Sequence, residues 1–181
     1  MDVASALELR PWDACDSEVH RVVFGWGEHP AVPAHASRAM VAAMVFRCPG
    51  PTTAGGRRLL SVHNWIAYRA DEPVAYLGAD VIAAWAEPED FRPATPQVEV
   101  PSPVMSISTL VDPARWGQGI SVATKTAVTR HPEAAAVESF HTSIRADNAR
   151  SVKAILKVPG IQYVGTGAED GHLWRHYRWP R

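Results

Sequence analysis

Val104-Met105-Ser106-Ile107-Ser108-Thr109-Leu110-Val111-Asp112-Pro113-Ala114-Arg115-Trp116-Gly117-Gln118-Gly119-Ile120-Ser121 decides the fold. Over residues 104–112, Met105, Ile107, Thr109 and Val111 fall on one face and Ser106, Ser108 and Leu110 on the other, the two-residue period of a strand. Asp112-Pro113 ends it, because proline has no N–H to give a ladder. Past Gly119 the apolar step changes, and Ile120, Ala123, Ala127 and Val128 recur at helical spacing. Gly117 and Gly119 therefore stand where a strand turns into a helix. The first turn of a helix offers N–H groups without internal partners at the positive end of the macrodipole. Glycine lets that backbone close on a ligand. The turn suits a phosphate group.

Two familiar phosphate-binding patterns fail here. A P-loop needs Gly-Lys followed by Ser or Thr, and Lys125 lies well inside the helix. A dinucleotide fingerprint needs a third glycine where Val122 stands. What remains resembles the GNAT superfamily of acyl-CoA-dependent N-acyltransferases. Its pyrophosphate loop runs Gln or Arg, two residues, Gly, one residue, then Gly or Ala, and Trp116, Gly119 and Ser121 fill those slots. Trp116-Gly117-Gln118-Gly119 is similar to the branch of ribosomal-protein alanine acetyltransferases. A second stretch matches in order and spacing: a strand over residues 137–144, then Asn148-x-x-Ser151 opening a short helix. Asn148 is also an ordinary helix cap. The arginine-bearing first strand, Leu7-Glu8-Leu9-Arg10-Pro11, agrees with the same family.

The resemblance implies an α/β fold with a mixed, mostly antiparallel sheet of six or seven strands. Helices cover both faces, and the sheet splays between strands four and five. It implies acetyl-CoA as cosubstrate, bound by the backbone N–H groups of Leu110 and Val111, the turn Trp116, Gly117, Gln118, Gly119, Ile120 and Ser121, and Asn148. The implied reaction is acetyl transfer to a primary amine on a small molecule or a protein N-terminus. The family's acid/base slots are empty: the fourth-strand Glu falls near Met105, the fifth-strand Glu at Ser143, and the tyrosine acid at Ile155. Substitutes close by are His141, on the same strand face as Ser143, together with Ser106 and Ser108. Tyr163 and Tyr177 are potential proton donors, and Glu99 is placed to reach in from a long loop. A base is not obligatory where water carries the proton away. The rival reading is a non-catalytic acyl-CoA-binding or protein-interaction domain.

The remaining sequence sets the frame. A chain of 181 residues suits one domain, 1–181, with a substantial core. A net charge of −1 gives no basic field for nucleic acid, and argues for neither a polycationic aminoglycoside nor a histone-like tail as acceptor. No apolar run reaches the roughly 20 residues of a membrane span. The N-terminus has no signal-peptide pattern. Cys15 and Cys48 form no metal or redox motif, so the cytoplasm is the expected compartment.

Residues 6–12 read as an edge strand. A helix over 18–24, capped by Asp13, Asp16 or Ser17, is expected to break at Gly25-Trp26-Gly27. A second helix over 34–46 carries the stripe Ala36, Met40, Ala43 and Met44. Residues 48–58 and 86–102 read as loops by composition. Leu59–Arg69 and residues 73–85 form a hairpin whose Trp65, Tyr68, Tyr76 and Trp85 either line a cleft or fill the core. His172 and His176 fall on a terminal strand, roughly 13 Å apart at 3.3 Å per residue, so no metal is expected there. That aromatic strand is a plausible edge for a homodimer.

Overall fold

A computed structural model describes residues 7–48, 58–83, 103–169 and 171–181. Seven strands form one sheet. In chain order the elements are β1 (Glu8–Pro11), α1 (Ser17–Gly27), α2 (Arg38–Val45), β2 (Leu59–Arg69), β3 (Glu72–Ile82) and β4 (Val104–Val111). They continue with α3 (Ile120–Thr129), β5 (Ser139–Arg145), α4 (Ala149–Ile155), β6 (Gln162–Glu169) and β7 (His172–Pro180). The strand order is β1-β2-β3-β4-β5-β7-β6, so the terminal aromatic strand, expected at an edge, is instead paired on both sides, by β5 and β6. Every pairing is antiparallel except β4 with β5, which run parallel and meet at only three residue pairs: Val104 with Ser139, Met105 with Phe140, and Ser106 with His141. Beyond Ser106 the two strands part. The sheet is splayed where the resemblance implies.

Strand alternation distributes the core over both faces. On one face Trp65, Leu77, Met105, Ile107, Phe140 and Trp179 pack with Ile120 and Val128 of α3 and Ile155 of α4. On the other Ile66, Tyr68, Tyr76 and Leu110 pack with Val23 and Trp26 of α1 and Val41 and Met44 of α2. Trp65 thus lies across the sheet from Tyr68 and Tyr76, and all three are core rather than cleft. Trp85 and the loop over 86–102, Glu99 included, lie outside the described residues, as do residues 49–57.

Several local expectations need correction. Asp16 caps α1, its carboxylate accepting from the Val19 N–H at 2.9 Å. The helix nevertheless runs on through Gly25 to Gly27. Gly27 is no breaker: a Cβ there would stand 2.4 Å from the Arg38 nitrogen, so the missing side chain admits the start of α2. Helix α2 begins at Arg38, after a separate 3-10 turn at Ala34–Ala36, and buries Val41 and Met44 while Ala43 is exposed. In α3 the buried positions are Ile120, Thr124, Lys125 and Val128, with Ala123 and Ala127 only half-buried. The helical period was legible there, but its phase puts a lysine on the inner side. The β2–β3 turn is made by Ala70 and Asp71 at φ 49° and 63°, the left-handed pair of a tight hairpin.

Candidate active site

Asp112 donates its N–H to the Val74 carbonyl at 3.0 Å. Donors alternate along an antiparallel strand, so the N–H of Leu110, like that of Asp112, turns toward β3. Those of Thr109 and Val111 turn toward the gap beside β5. Two further bonds agree with this phase: the Ile107 carbonyl accepts from Thr142 Oγ1 at 2.9 Å, and the Val111 carbonyl from Trp116 Nε1 at 3.1 Å. Of the two amides expected to serve a ligand, Val111 faces the gap and Leu110 is engaged in the sheet. The neighbouring amide that faces the gap is that of Thr109.

After β4 a short 3-10 turn, Pro113–Arg115, is capped by the Asp112 carboxylate. Gly117 and Gly119 then adopt φ 84° and 76°, the left-handed region that side chains resist. Gly119 is the residue before the first turn of α3. Nothing lies within 4 Å of the Cβ that either glycine lacks. The space above the turn is open to a ligand. A cavity of about 290 Å³ covers it, lined by Thr109, Leu110, Val111, Trp116, Gly117, Gly119, Ile120, Ser121 and Asn148. Gln118 is exposed beside it and does not line it. Arg150, Lys153 and Lys157 add positive charge to its wall. The Arg150 guanidinium sits 3.5 Å from the Trp116 ring centre, a cation–π contact that fixes both side chains. Asn148 caps α4, accepting from the Ser151 N–H at 3.2 Å.

A second cavity, about 670 Å³, adjoins the first through Ala36, Thr109, Ser121, Asn148 and Ser151. It passes through the gap between β4 and β5 and is walled by Asp80, Arg47, Ser106, Ser143, Ile155 and Lys125. Asp80 is the one carboxylate on either cavity among the described residues. It pairs with Arg47, yet burial dominates and raises its pKa above the ordinary carboxylate value. Asp80, Ser106 and His141 lie side by side on β3, β4 and β5. Ser106 Oγ stands 3.4 Å from His141 Nδ1. Behind it, His141 stacks against His176 with centroids 5.7 Å apart, and Ser143 Oγ lies 3.0 Å from His176 Nδ1. His141 is buried and lines neither cavity, while its partner Ser106 lines the larger one.

Tyr163 is a clear misplacement. It lies on edge strand β6, exposed and bonded to Thr166, two strands away from β5. Tyr177 is buried in the core, and Met105 likewise. Lys125 and Asp80 were missed by sequence reasoning. Lys125 donates to Thr109 Oγ1 at 3.0 Å and to Ser121 Oγ at 3.2 Å, and full burial lowers its pKa to about 8. The only sequence signals were single charges in apolar settings: Asp80 within Val74 to Ile82, and Lys125 four residues after Ser121.

A splayed mixed sheet with a left-handed glycine turn between its fourth strand and a helix defines the fold of the GNAT N-acetyltransferases. No family model matches this chain, and no curated protein matches it in sequence. Solved structures match it in fold. Aminoglycoside acetyltransferase AAC(6')-Ib in complex with paromomycin and acetyl-CoA is 16% identical, with a TM-score of 0.66 over 97% of this chain and 94% of that one. The aminoglycoside N(6')-acetyltransferase of Legionella pneumophila is 15% identical, with a TM-score of 0.64 over 97% and 92%. Campylobacter jejuni N-acetyltransferase PseH, in complex with acetyl coenzyme A, is 8% identical, with a TM-score of 0.56 over 97% and 99%. No described helix is long and apolar enough to cross a membrane. No group of His, Cys, Asp and Glu among the described residues has the geometry to hold a metal ion.

Proposed function

We propose that this chain transfers an acetyl group from acetyl-CoA to an amine. One observation carries the reading: the open left-handed turn at Gly117 and Gly119 and the unpaired edge of β4 line one cavity. A pyrophosphate fits the turn, where the first amides of α3 and the positive end of its dipole converge. Trp116, Ile120, Ser121 and Asn148 would flank it, with Arg150, Lys153 and Lys157 facing the remaining phosphate charge. The gap-facing amides of Thr109 and Val111 would hold the pantetheine arm and thioester oxygen as the missing partner strand does elsewhere. Structural neighbours that carry acetyl-CoA or CoA support this assignment.

Acyl transfer then needs a deprotonated amine held in line with the thioester. The larger cavity is the acceptor side, and Asp80 is its base, with Ser106 and His141 as a hydrogen-bonded backing. Asp80 stands ahead of His141, which lines neither cavity, and ahead of Ser143, whose hydroxyl is a far weaker base than a carboxylate. The acceptor is a small-molecule amine, as in the aminoglycoside-bound neighbours, or a protein N-terminus, as the Trp116-Gly117-Gln118-Gly119 turn resembles. The second reading, a CoA-binding domain without turnover, draws on Met105 and Ile155, apolar where the family's proton-transfer groups would stand. Calorimetry with CoA, followed by acceptor-dependent thiol release across amines and peptides, separates the three cases. Binding with release supports the enzyme, binding without release supports the second reading, and no binding at millimolar CoA ends both.

A further inference from the structure

Lys125 is buried with no carboxylate within ion-pair distance among the described residues. Its amine is fixed by two hydroxyls, those of Thr109 and Ser121, and both residues line both cavities. The nitrogen therefore sits at the passage between the two cavities, beside the residue whose amide faces the β4–β5 gap. An ammonium buried without a partner costs several kcal/mol, whereas a neutral amide at the same point keeps one N–H to donate. Conversion of this amine to an amide would remove a charge that no carboxylate among the described residues offsets.

We propose that Lys125 is an internal acetyl acceptor, taking the acetyl group from bound acetyl-CoA when no substrate amine occupies the larger cavity. The inference rests on the acetyl-CoA reading of the site. Burial favours the unprotonated amine, the form that attacks. Its lone pair forms an N–C bond to the thioester carbonyl carbon. The C–S bond breaks, sulfur leaves with the electron pair and takes up the proton that nitrogen sheds. The products are an acetamide at Lys125 and CoA thiol. The added acetyl group would then occupy the passage and slow turnover of a later amine, so the modification is self-limiting.

The chain has three lysines, Lys125, Lys153 and Lys157, which makes the test clean. The full-length protein is incubated with acetyl-CoA without acceptor, and separately with acetyl phosphate, then followed by intact mass and peptide mapping. With acetyl-CoA, Lys125 should be acetylated at least about tenfold faster than exposed Lys153 and Lys157, because proximity to a docked donor replaces a collision. Excess desulfo-CoA should suppress it, and acetyl phosphate should label the exposed pair instead. In a folded K125R protein the fast acetylation should vanish. Lys125 left blank while the protein binds CoA and releases thiol with an added amine overturns the inference and leaves the acetyltransferase reading intact. Equal labelling of Lys125 by acetyl phosphate, or labelling insensitive to desulfo-CoA, overturns it too. A protein that neither binds CoA nor labels Lys125 overturns both.

Discussion

Replacing Lys125 with methionine should stabilise the protein near neutral pH and lose that advantage in alkali. Burial holds the ammonium pKa at about 8, against 10.5 for the free side chain. At about 1.4 kcal/mol per pH unit, that difference makes the charged form cost the fold about 3 kcal/mol near pH 7. Below about pH 8 both folded and unfolded chains hold the proton, and the cost is constant. Between about 8 and 10.5 the unfolded chain holds a proton that the folded chain has shed, so wild-type stability rises with pH. At about pH 9.5 the remaining cost is near 1.4 kcal/mol. The methionine variant forfeits the bonds to Thr109 and Ser121, about 1 kcal/mol each. It should thus exceed wild type by about 1 kcal/mol near pH 7 and fall level or slightly below near pH 9.5. Urea unfolding of both proteins at the two pH values measures this directly. A stability gap that does not move between them refutes the burial argument, whatever its size.

Two further expectations follow from the site. Gly119→Ala should cost about 1 kcal/mol in stability, from the left-handed backbone alone, because the Cβ meets no neighbour. Gly119→Asp should cost the same in stability yet bind CoA at least about tenfold more weakly than the alanine variant, the carboxylate opposing the pyrophosphate; equal Kd values by calorimetry would remove phosphate from this turn. Asp80→Asn should lower kcat at least about a hundredfold with CoA affinity unchanged. Wild-type turnover should rise with pH through a value above the ordinary carboxylate range, and an asparagine variant with the same pH limb would clear Asp80.

The strand and the left-handed glycine turn were legible because each depends on neighbours in sequence. Period-two alternation over residues 104–111, a proline stop, and glycines before a helical step all act locally. Asn148 as the cap of α4 was legible in the same way. The larger cavity is different. Asp80 and Lys125 meet one cavity from β3 and α3, and only the sheet register and helix phase bring them together. Alternation says that Asp80 shares a face with Tyr76 but not that this face opens onto the gap. Tyr163 was misread for a related reason: its distance from Asn148 in sequence is short, while β7 inserts between β5 and β6. The glycines of α1 looked like punctuation, and the decisive fact about Gly27 was a backbone arriving from eleven residues later.

Where β4 meets β5, the backbone of the described residues contributes three residue pairs and one flanking bond, from the Glu138 N–H to the Pro103 carbonyl at 3.0 Å. The four strands before that seam and the three after it are otherwise joined by side chains. Met105 and Ile107 on one side, and Phe140, Ile144 and Trp179 on the other, belong to one apolar cluster, with Phe140 and Trp179 stacked at 5.6 Å. Elsewhere in the sheet a truncated side chain leaves the ladder to hold the register. Here a cavity in the cluster loosens the weld between two halves of the molecule. Tolerance to mutation should therefore be lowest in the narrow apolar band along this seam.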